Sequence, residues 1–307
     1  RVWLGTYLKG LQEYNPDTKT FGGYENIPGD DESLSNNDVT AIVEDRLGNL
    51  WIGTNGGGLN RLDKQTGKFI HYRQNDDNPQ KSIINNHITS LYLDSHGYLW
   101  ITTYWGLSRM DPAKGDVRNF SLMGYNNTYI CVYADSKQRF WAGTTMGLKL
   151  IDINDGSFQV YSTQDGLPSN VVNGIEEDRE GNLWLSTNQG ICKFNYEKGT
   201  FRNFYTEDGL MSNEFILNSA ASDSDGEIYF GSVGGITRFY PDKINSNRNP
   251  ATKGMMTTAI SRRPPRSGTT AGITPATSAI STRRASSSSL TVRRTSSSPA
   301  AKIFIPS

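Results

Sequence analysis

The feature that most constrains the fold is an internal repeat of about 45 residues, with six copies between residues 1 and 244. Each copy is anchored on an aromatic residue, and successive anchors are 41 to 49 residues apart. An Asp stands six residues before each of the last five anchors. A Thr or Ser stands three residues after every anchor, and a Gly followed by Leu or Ile stands six or seven residues after it. Such self-similarity at a fixed period is typical of repeat architectures. The anchors are Trp3, Trp51, Trp100, Trp141, Trp184 and Tyr229.

One copy predicts the structure of a unit. Residues 39–45 (VTAIVED) alternate in polarity and are rich in β-branched side chains, which indicates a strand. Asp45 and Gly48 then form a tight turn, because Asp bonds its own backbone and Gly accepts a positive φ. Residues 49–54, 59–63 and 68–73 are the second, third and fourth strands. Four short antiparallel strands per repeat predict an all-β fold, a β-propeller of four-stranded blades.

The blade boundaries follow from the period, and we place them at residues 1–34, 35–83, 84–124, 125–167, 168–210 and 211–244. The chain starts at the first anchor, so the first blade lacks its innermost strand, and the last blade is also one strand short. We therefore expect a truncated array. In four copies an Asn stands fourteen residues before the anchor, and the copy anchored on Tyr229 has none there.

The repeated Trp, Asp and Asn residues are interpreted as parts of the fold. A buried Trp removes roughly 150–250 Å² from water, and a residue that recurs once per blade at one phase is explained by packing between blades. The repeated Asp and Asn are turn residues on the same argument. They are not expected to be catalytic.

Residues 245–307 have a different composition, rich in Ser, Thr, Ala, Pro and Arg. Residues 250–307 carry nine Lys and Arg and no acidic residue, whereas residues 1–249 carry 22 basic and 31 acidic ones. Such a segment cannot bury enough apolar surface to fold, so we predict a disordered basic tail. Two interpretations of this tail stay open: a basic arm for an acidic partner, and an out-of-frame translation, which the abrupt change of composition favours.

Several function classes are disfavoured. The acidic main body argues against nucleic-acid binding, and no apolar run approaches the ~20 residues of a membrane helix. Cys131 and Cys192 lack metal-site spacing and are expected to be buried thiols. The three His residues also lack metal spacing, and residues 152–157 (DINDGS) are interpreted as a turn. We expect no metal and no cofactor.

The repeats resemble a known family. The sequences AIVEDRLGNLWIGTNGGGLNRLD and DGLPSNVVNGIEEDREGNLWLSTNQGI are similar to the two-component regulator propeller repeat, over residues 1 to about 244. The resemblance implies the periplasmic sensor of a Bacteroidetes hybrid histidine kinase that senses oligosaccharides. It also implies partner domains that this chain lacks: an immunoglobulin-like domain, a membrane helix and the kinase. The sequence from Arg1 onward has no pattern of a signal peptide, and we expect it to be a piece of a longer protein or a processed form.

Topology predicts where a ligand would bind. In a propeller, the turns between the second and third strands of each blade lie on the same face as the connectors between blades; we call this the upper face. Two adjacent aromatics on one such turn, Tyr104 and Trp105, are suited to stack on a sugar ring. The alternative for Trp105 is packing on the next blade. The predicted ligand-binding residues are Tyr7, Asn55, His87, Tyr104, Trp105, Thr145, Asn188 and Gln189.

Three functions remain open. The first is an extracytoplasmic, non-catalytic ligand sensor that binds an oligosaccharide or another small ligand. The second is a scaffold for protein–protein interaction, and we also consider a homodimer. The third is a propeller glycoside hydrolase or lyase, since Asp-x-x-Gly-x-x-Trp resembles the Asp-box turn of sialidases. The upper face carries amides, hydroxyls and aromatics instead of a titratable cluster, which favours the first two.

Overall fold

The chain forms a β-propeller of six blades. The structure is a computed structural model that describes residues 2–78, 81–120, 128–244, 292–293 and 302–303. Four blades have four antiparallel strands, ordered from the central channel outward as they occur in the chain. The strands of blades 2 and 3 are β4 (Val39–Glu44), β5 (Leu50–Thr54), β6 (Gly58–Leu62), β7 (Phe69–Tyr72), β8 (Ile88–Leu93), β9 (Leu99–Thr103), β10 (Leu107–Met110) and β11 (Val117–Phe120). Those of blades 4 and 5 are β12 (Tyr129–Ala134), β13 (Phe140–Thr144), β14 (Gly147–Ile151), β15 (Phe158–Tyr161), β16 (Val172–Glu177), β17 (Leu183–Thr187), β18 (Gly190–Asn195) and β19 (Thr200–Phe204).

The first and last blades each have three consecutive strands within the described residues. Blade 1 comprises β1 (Val2–Gly5), β2 (Leu11–Asn15) and β3 (Thr20–Tyr24), and blade 6 comprises β20 (Phe215–Ser222), β21 (Ile228–Ser232) and β22 (Gly235–Phe239). Two short strands, β23 (Val292–Arg293) and β24 (Lys302–Ile303), pair with each other, and β24 pairs in parallel with β1. The remainder of the predicted disordered tail lies outside the described residues. Short 3-10 turns span Thr206–Asp208 and Pro241–Lys243.

The anchor Trp residues form the core between blades, as predicted. Trp51, Trp141 and Trp184 are fully buried, and Trp3 and Trp100 nearly so. The ring centroid of Trp100 in blade 3 lies 4.0 Å from that of Phe140 in blade 4. Each Trp therefore packs where two sheets meet, which is how a residue repeated once per blade can seal every interface of the ring.

The repeated Asp is a turn residue, as predicted, and it also binds the anchor. In blade 2, Asp45 Oδ1 accepts hydrogen bonds from the backbone N–H groups of Leu47 and Asn49, each 2.9 Å long. Its other oxygen, Oδ2, accepts the indole N–H of Trp51 at 2.9 Å. The same Asp–anchor bond recurs in the next four blades, as Asp94–Trp100, Asp135–Trp141, Asp178–Trp184 and Asp223–Tyr229. One carboxylate thus satisfies both the turn and the buried indole, so the spacing of six residues is fixed by geometry.

These Asp turns lie on the lower face, opposite to the turns between second and third strands. Burial opposes ionisation of Asp178, but hydrogen bonds from Trp184 and Asn182 outweigh it and hold the pKa of this carboxyl below its ordinary value. The Asp turn is therefore charged in the folded state. Cys131 and Cys192 are free and buried, as expected, and burial raises the pKa of the Cys192 thiol to about 12.

Candidate functional site

The turns between second and third strands are closed by the repeated hydroxyl. In blade 3, Thr103 Oγ1 donates to the carbonyl oxygen of Gly106 at 2.9 Å and accepts the backbone N–H of Trp105 at 3.2 Å. Thr103 is fully buried, and Gly106 has a φ of 158°. These two hydrogen bonds of the Thr side chain close the turn from its inner side. The two residues at its tip, Tyr104 and Trp105, are left to project from the upper face.

Trp105 is exposed, which excludes packing on the next blade. Its side chain is 68% accessible and that of Tyr104 is 44% accessible, whereas the five anchor Trp residues are at most 4% accessible. An exposed indole keeps its apolar surface in water, so the ring does not contribute to the stability of the core. A flat apolar surface with a polar N–H is suited to stack on a ring-shaped ligand with alternating polar and apolar edges.

A series of hydrogen bonds and one ring stack leads to this turn from blade 2 into blade 3. Asn55 Nδ2 donates to Asp38 Oδ2 at 2.9 Å, and Asn55 Oδ1 is 2.8 Å from His87 Nδ1. The His87 ring stacks on the Tyr104 ring with centroids 5.3 Å apart and planes 6° apart. The backbone N–H of Tyr104 donates to the carbonyl oxygen of His87 at 3.3 Å.

The hydrogen bond to Asn55 also determines the tautomer of His87. Because the Nδ2 group of Asn55 is committed to the Asp38 carboxylate, its Oδ1 must accept, and His87 Nδ1 must be the donor. The neutral ring then offers Nε2 as an acceptor at the surface, next to the Tyr104 ring. His87 is exposed, so this acceptor is available to a ligand hydroxyl.

The structure therefore brings together Asn55, His87, Tyr104 and Trp105 as one cluster, which we call the aromatic cluster. The other four predicted residues lie on the same face but on other blades. Tyr7 is exposed on the turn of blade 1, Thr145 lies on that of blade 4, and Asn188 and Gln189 lie on that of blade 5. Asn188 Oδ1 accepts a hydrogen bond from Asn173 Nδ2 at 2.8 Å, so its own amide N–H₂ can face outward. Their role in binding stays a prediction.

Sequence reasoning missed an apolar contribution to the upper face. Exposed apolar side chains occur at the turn tips of blades 1, 4 and 6 and in two connectors between blades. The signal was present in the alignment of repeats, because turn-tip positions that have no packing partner inside a blade must point to solvent. These residues are Leu8, Met146, Val233, Ile27 and Met211.

A buried lysine was also missed. Lys149 in β14 is 1% accessible, and its Nζ donates to the Tyr129 hydroxyl at 3.0 Å and lies 4.1 Å from the Phe158 ring centroid. Burial lowers the pKa of Lys149 to about 8 and raises that of Tyr129. Lys149 and Tyr129 are both almost fully buried. The pair is therefore part of the core of the ring.

The described residues contain no group of three or more His, Cys, Asp and Glu able to hold a metal ion. Residues 152–157 form a turn in which Asp152 Oδ1 accepts the backbone N–H of Asn154 at 2.8 Å. His71 Nε2 lies 2.7 Å from the carbonyl oxygen of Ser33, so this His links a strand to a connector. In the part of the chain that the structure describes, no helix has the length and apolar character to cross a bilayer.

The repeats match the model of the two-component regulator propeller family at residues 33–56, 82–105 and 166–189. Each match runs from a connector to the turn after the second strand of the blade, and the second includes His87, Tyr104 and Trp105. A histidine kinase P4 from Formosa agariphila is 29% identical over 254 residues, which are 81% of this chain and 15% of the relative.

Solved structures share the fold. The extracellular domain of a putative hybrid two-component system from B. thetaiotaomicron superposes with a TM-score of 0.63 at 27% identity, over 77% of this chain and 31% of that one. A second such domain gives 0.58 at 21% identity, over 78% and 40%. Virginiamycin B lyase from Staphylococcus aureus gives 0.58 at 15% identity, over 77% and 76%, which reflects the propeller fold alone. The chain thus spans less than a third of the histidine kinase relative and of the first structural neighbour.

Proposed function

Because this chain is a two-component regulator propeller, we propose that it is the extracytoplasmic ligand-sensing module of a membrane-bound regulator and binds an oligosaccharide on its upper face. It performs no catalysis of its own. The observation that carries the proposal is the aromatic cluster, in which the exposed Trp105 follows Tyr104, whose ring stacks on a His87 ring that is hydrogen-bonded to Asn55. The relatives are parts of histidine kinases and hybrid two-component systems, which supports signalling as the context.

The chemistry of the cluster fits a sugar. The indole of Trp105 offers an apolar face for the C–H groups of a pyranose ring, and aromatic contacts of this kind add about 0.5–1.5 kcal/mol beyond area burial. His87 Nε2 and the Tyr104 hydroxyl stand at its side, ready to accept and donate to ring hydroxyls. A few fixed polar groups around an apolar surface are typical of small-ligand sites.

The location outside the cytoplasm rests on the neighbours. The two B. thetaiotaomicron structures are extracellular domains of putative two-component systems. A sensor in that position passes its state to signalling domains, and we propose an immunoglobulin-like domain, a membrane helix and a histidine kinase as those partners.

Fluorescence gives a direct test, because Trp105 is the exposed one of six tryptophans, all of which are described. A panel of neutral and acidic oligosaccharides is titrated while tryptophan emission is recorded. Binding is expected to change the emission of the wild type, and the same ligand should leave Trp105→Phe emission almost unchanged. Trp105→Ala should weaken binding by tenfold or more at an unchanged melting temperature.

A matched control is Leu47→Ala, which removes an apolar side chain that is 79% accessible on the lower face. It should bind as the wild type does. If a ligand of the panel binds Trp105→Ala and the wild type equally well, the aromatic cluster is not its site.

The apolar turn tips favour a second candidate, in which the same face docks a protein, including a second copy of this chain. Leu8, Met146 and Val233 are each more than half accessible and lie on this face. Sedimentation at increasing protein concentration separates the two candidates. Self-association that Met146→Ser abolishes, with no response to any glycan, would replace the sensor by a scaffold.

A further inference from the structure

Blade 6 departs from the other blades in its innermost strand. In blades 2 to 5, one residue lies between the paired positions that flank the bulge, and their partners on the second strand are adjacent, so the innermost strand has one extra residue. In β20, four residues lie between Phe215 and Ala220, the corresponding paired positions, opposite the single residue Gly231, so this strand has three extra residues. The strand therefore contains a two-residue insertion, and this explains why the repeated Asn of this copy, Asn213, stands sixteen residues before Tyr229 instead of fourteen. Bulges re-aim side chains and are frequent beside functional sites.

The insertion carries Asn218 across the central channel. Asn218 has a φ of 53°, a left-handed conformation that is uncommon for a residue other than Gly. Its Oδ1 accepts the hydroxyl of Ser90 at 3.0 Å, and its Nδ2 lies 3.5 Å from the carbonyl oxygen of Thr89. Ser90 is fully buried and Asn218 is 8% accessible. Blades 3 and 6 are opposite each other in a ring of six, so these bonds join two sides of the ring that share no interface.

The far end of this contact lies directly below the aromatic cluster. Thr89 and Ser90 are in β8, two and three residues after His87. The backbone carbonyl of His87 holds the N–H of Tyr104, and its ring stacks on Tyr104. Thr89 is also the bulge residue of β8, and its Oγ1 donates to Thr102 Oγ1 at 2.8 Å in the strand that leads to Trp105. These bonds link the upper ends of β8 and β9.

We infer that Asn218 is a positioning residue for the ligand site: its hydrogen bonds to Ser90 and Thr89 set the position of His87 from the opposite side of the ring. Through the same bonds, a ligand at the aromatic cluster acts on β20 of blade 6, the blade that precedes residues 245–307. This inference rests on the proposed function only for its ligand. The bond between the two blades stands without it.

The first experiment needs no ligand. Asn218→Gly removes the side chain and keeps a residue that adopts a positive φ without strain. The matched control is Lys19→Gly, which changes an exposed turn residue on the lower face of blade 1 that also has a positive φ, 57°. The readout is the NMR signal of the His87 imidazole C–H groups, assigned with a His87→Gln variant. We expect the signal to shift or broaden in Asn218→Gly and to stay unchanged in Lys19→Gly.

Ser90→Ala reports from the other end of the same bond and serves if Asn218→Gly does not fold. It should shift the His87 signal in the same direction, and the double variant should add little to either single one. An unchanged His87 signal in a folded Asn218→Gly or Ser90→Ala overturns the inference.

The second experiment uses the glycan found by fluorescence. Its affinity should fall about three- to tenfold in Asn218→Gly and not in Lys19→Gly. In the wild type the ligand should slow amide exchange in residues 215–222, and this protection should be lost in Asn218→Gly. Absence of any binding glycan counts against the proposed function alone, whereas ligand protection of β20 that survives in Asn218→Gly counts against the role of Asn218 alone.

Discussion

The two faces of this propeller are built from turns of opposite regularity. On the lower face, five turns repeat one arrangement, in which Asp binds two backbone N–H groups and the anchor side chain. On the upper face, the turns share the hydroxyl that closes them and the Gly that ends them, and their tips range from Gly to Trp. Regular turns hold blades together, and irregular ones are free to acquire a ligand. The difference teaches that in a repeat protein the fold is found where copies agree and the function where they disagree.

The largest difference in the free energy of unfolding is expected between substitutions of a buried and of an exposed tryptophan. Trp100 is buried and Trp105, five residues later, is exposed. Trp100→Ala should lower the free energy of unfolding by about 3–5 kcal/mol, because it leaves a cavity between blades 3 and 4 and removes the partner of Asp94. Trp105→Ala should change it by less than about 0.5 kcal/mol. Urea unfolding followed by circular dichroism measures both.

The control for this pair is Trp100→Phe, which keeps a ring in the core and loses only the indole N–H. It should cost less than Trp100→Ala. A Trp105→Ala variant as unstable as Trp100→Ala would show that Trp105 belongs to the core, and the aromatic cluster would lose its basis as a binding surface.

The next effect concerns the carboxylate of the lower face. Asp135 is 2% accessible and accepts the side-chain N–H groups of Arg139 and Trp141 at 2.6 Å and 2.8 Å. Asp135→Ala should lower the free energy of unfolding by about 3–5 kcal/mol, since it leaves the Arg without its buried partner. Thermal and urea unfolding give the value.

Asp225→Ala is the matched control, because this exposed Asp occupies an Asp turn without binding the anchor. It should unfold within about 0.5 kcal/mol of the wild type. Equal losses from the two substitutions would mean that the bond to Trp141 contributes nothing, and the regularity of the lower face would need another cause.

The sequence alone predicts the blades well, for a reason that these two sites illustrate. The offset between Asp135 and Trp141 recurs because the same hydrogen bond recurs, so five copies indicate one geometry. Contacts that occur once carry no such signal. The stacking of His87 on Tyr104 joins a connector to a turn of the same blade, and the bond from Ser90 to Asn218 spans 128 residues. Alternation in β20 indicates a strand, but its two extra residues are visible only once the register is known.

Lys149 shows a second limit of the pattern. Its register position is occupied by Asn60 in blade 2 and Ser108 in blade 3. A lysine between two leucines in an alternating strand predicts a side chain on the exposed face. The structure instead buries it against Tyr129 and Phe158. Only the packing of the next sheet decides which face of β14 is covered.

The lysine predicts a dependence of stability on pH. The pKa of Lys149 is lowered to about 8 by burial, below the ordinary value of about 10.4. Between these values the unfolded chain binds the proton and the folded one does not, so the free energy of unfolding rises with pH from about 8 to 10. Lys149→Met with Tyr129→Phe removes both polar ends and should cancel this rise. The double variant should be more stable than the wild type by about 1–3 kcal/mol at pH 7, and the gap should close toward pH 10.

Lys64→Met is the control for the charge itself, since Lys64 is on the surface and pairs with Glu44. Its stability difference from the wild type should not vary between pH 7 and 10. A constant difference for the Lys149 variant as well would mean that the amine is solvated and keeps its ordinary pKa.

The smallest effect lies in the hydroxyl shared by the turns of the upper face. Thr187 Oγ1 donates to the carbonyl oxygen of Gly190 at 2.9 Å and accepts the backbone N–H of Gln189 at 3.0 Å. Thr187→Val keeps the shape and removes both bonds, so it should lower the free energy of unfolding by about 1–2 kcal/mol. Thr103→Val does the same beneath Trp105, and it should also weaken ligand binding because the tip of that turn is no longer held. If ligand affinity falls equally in Thr187→Val and Thr103→Val, the binding site includes blade 5 as much as blade 3. The ligand would then be recognised by the whole upper face and not by one irregular turn.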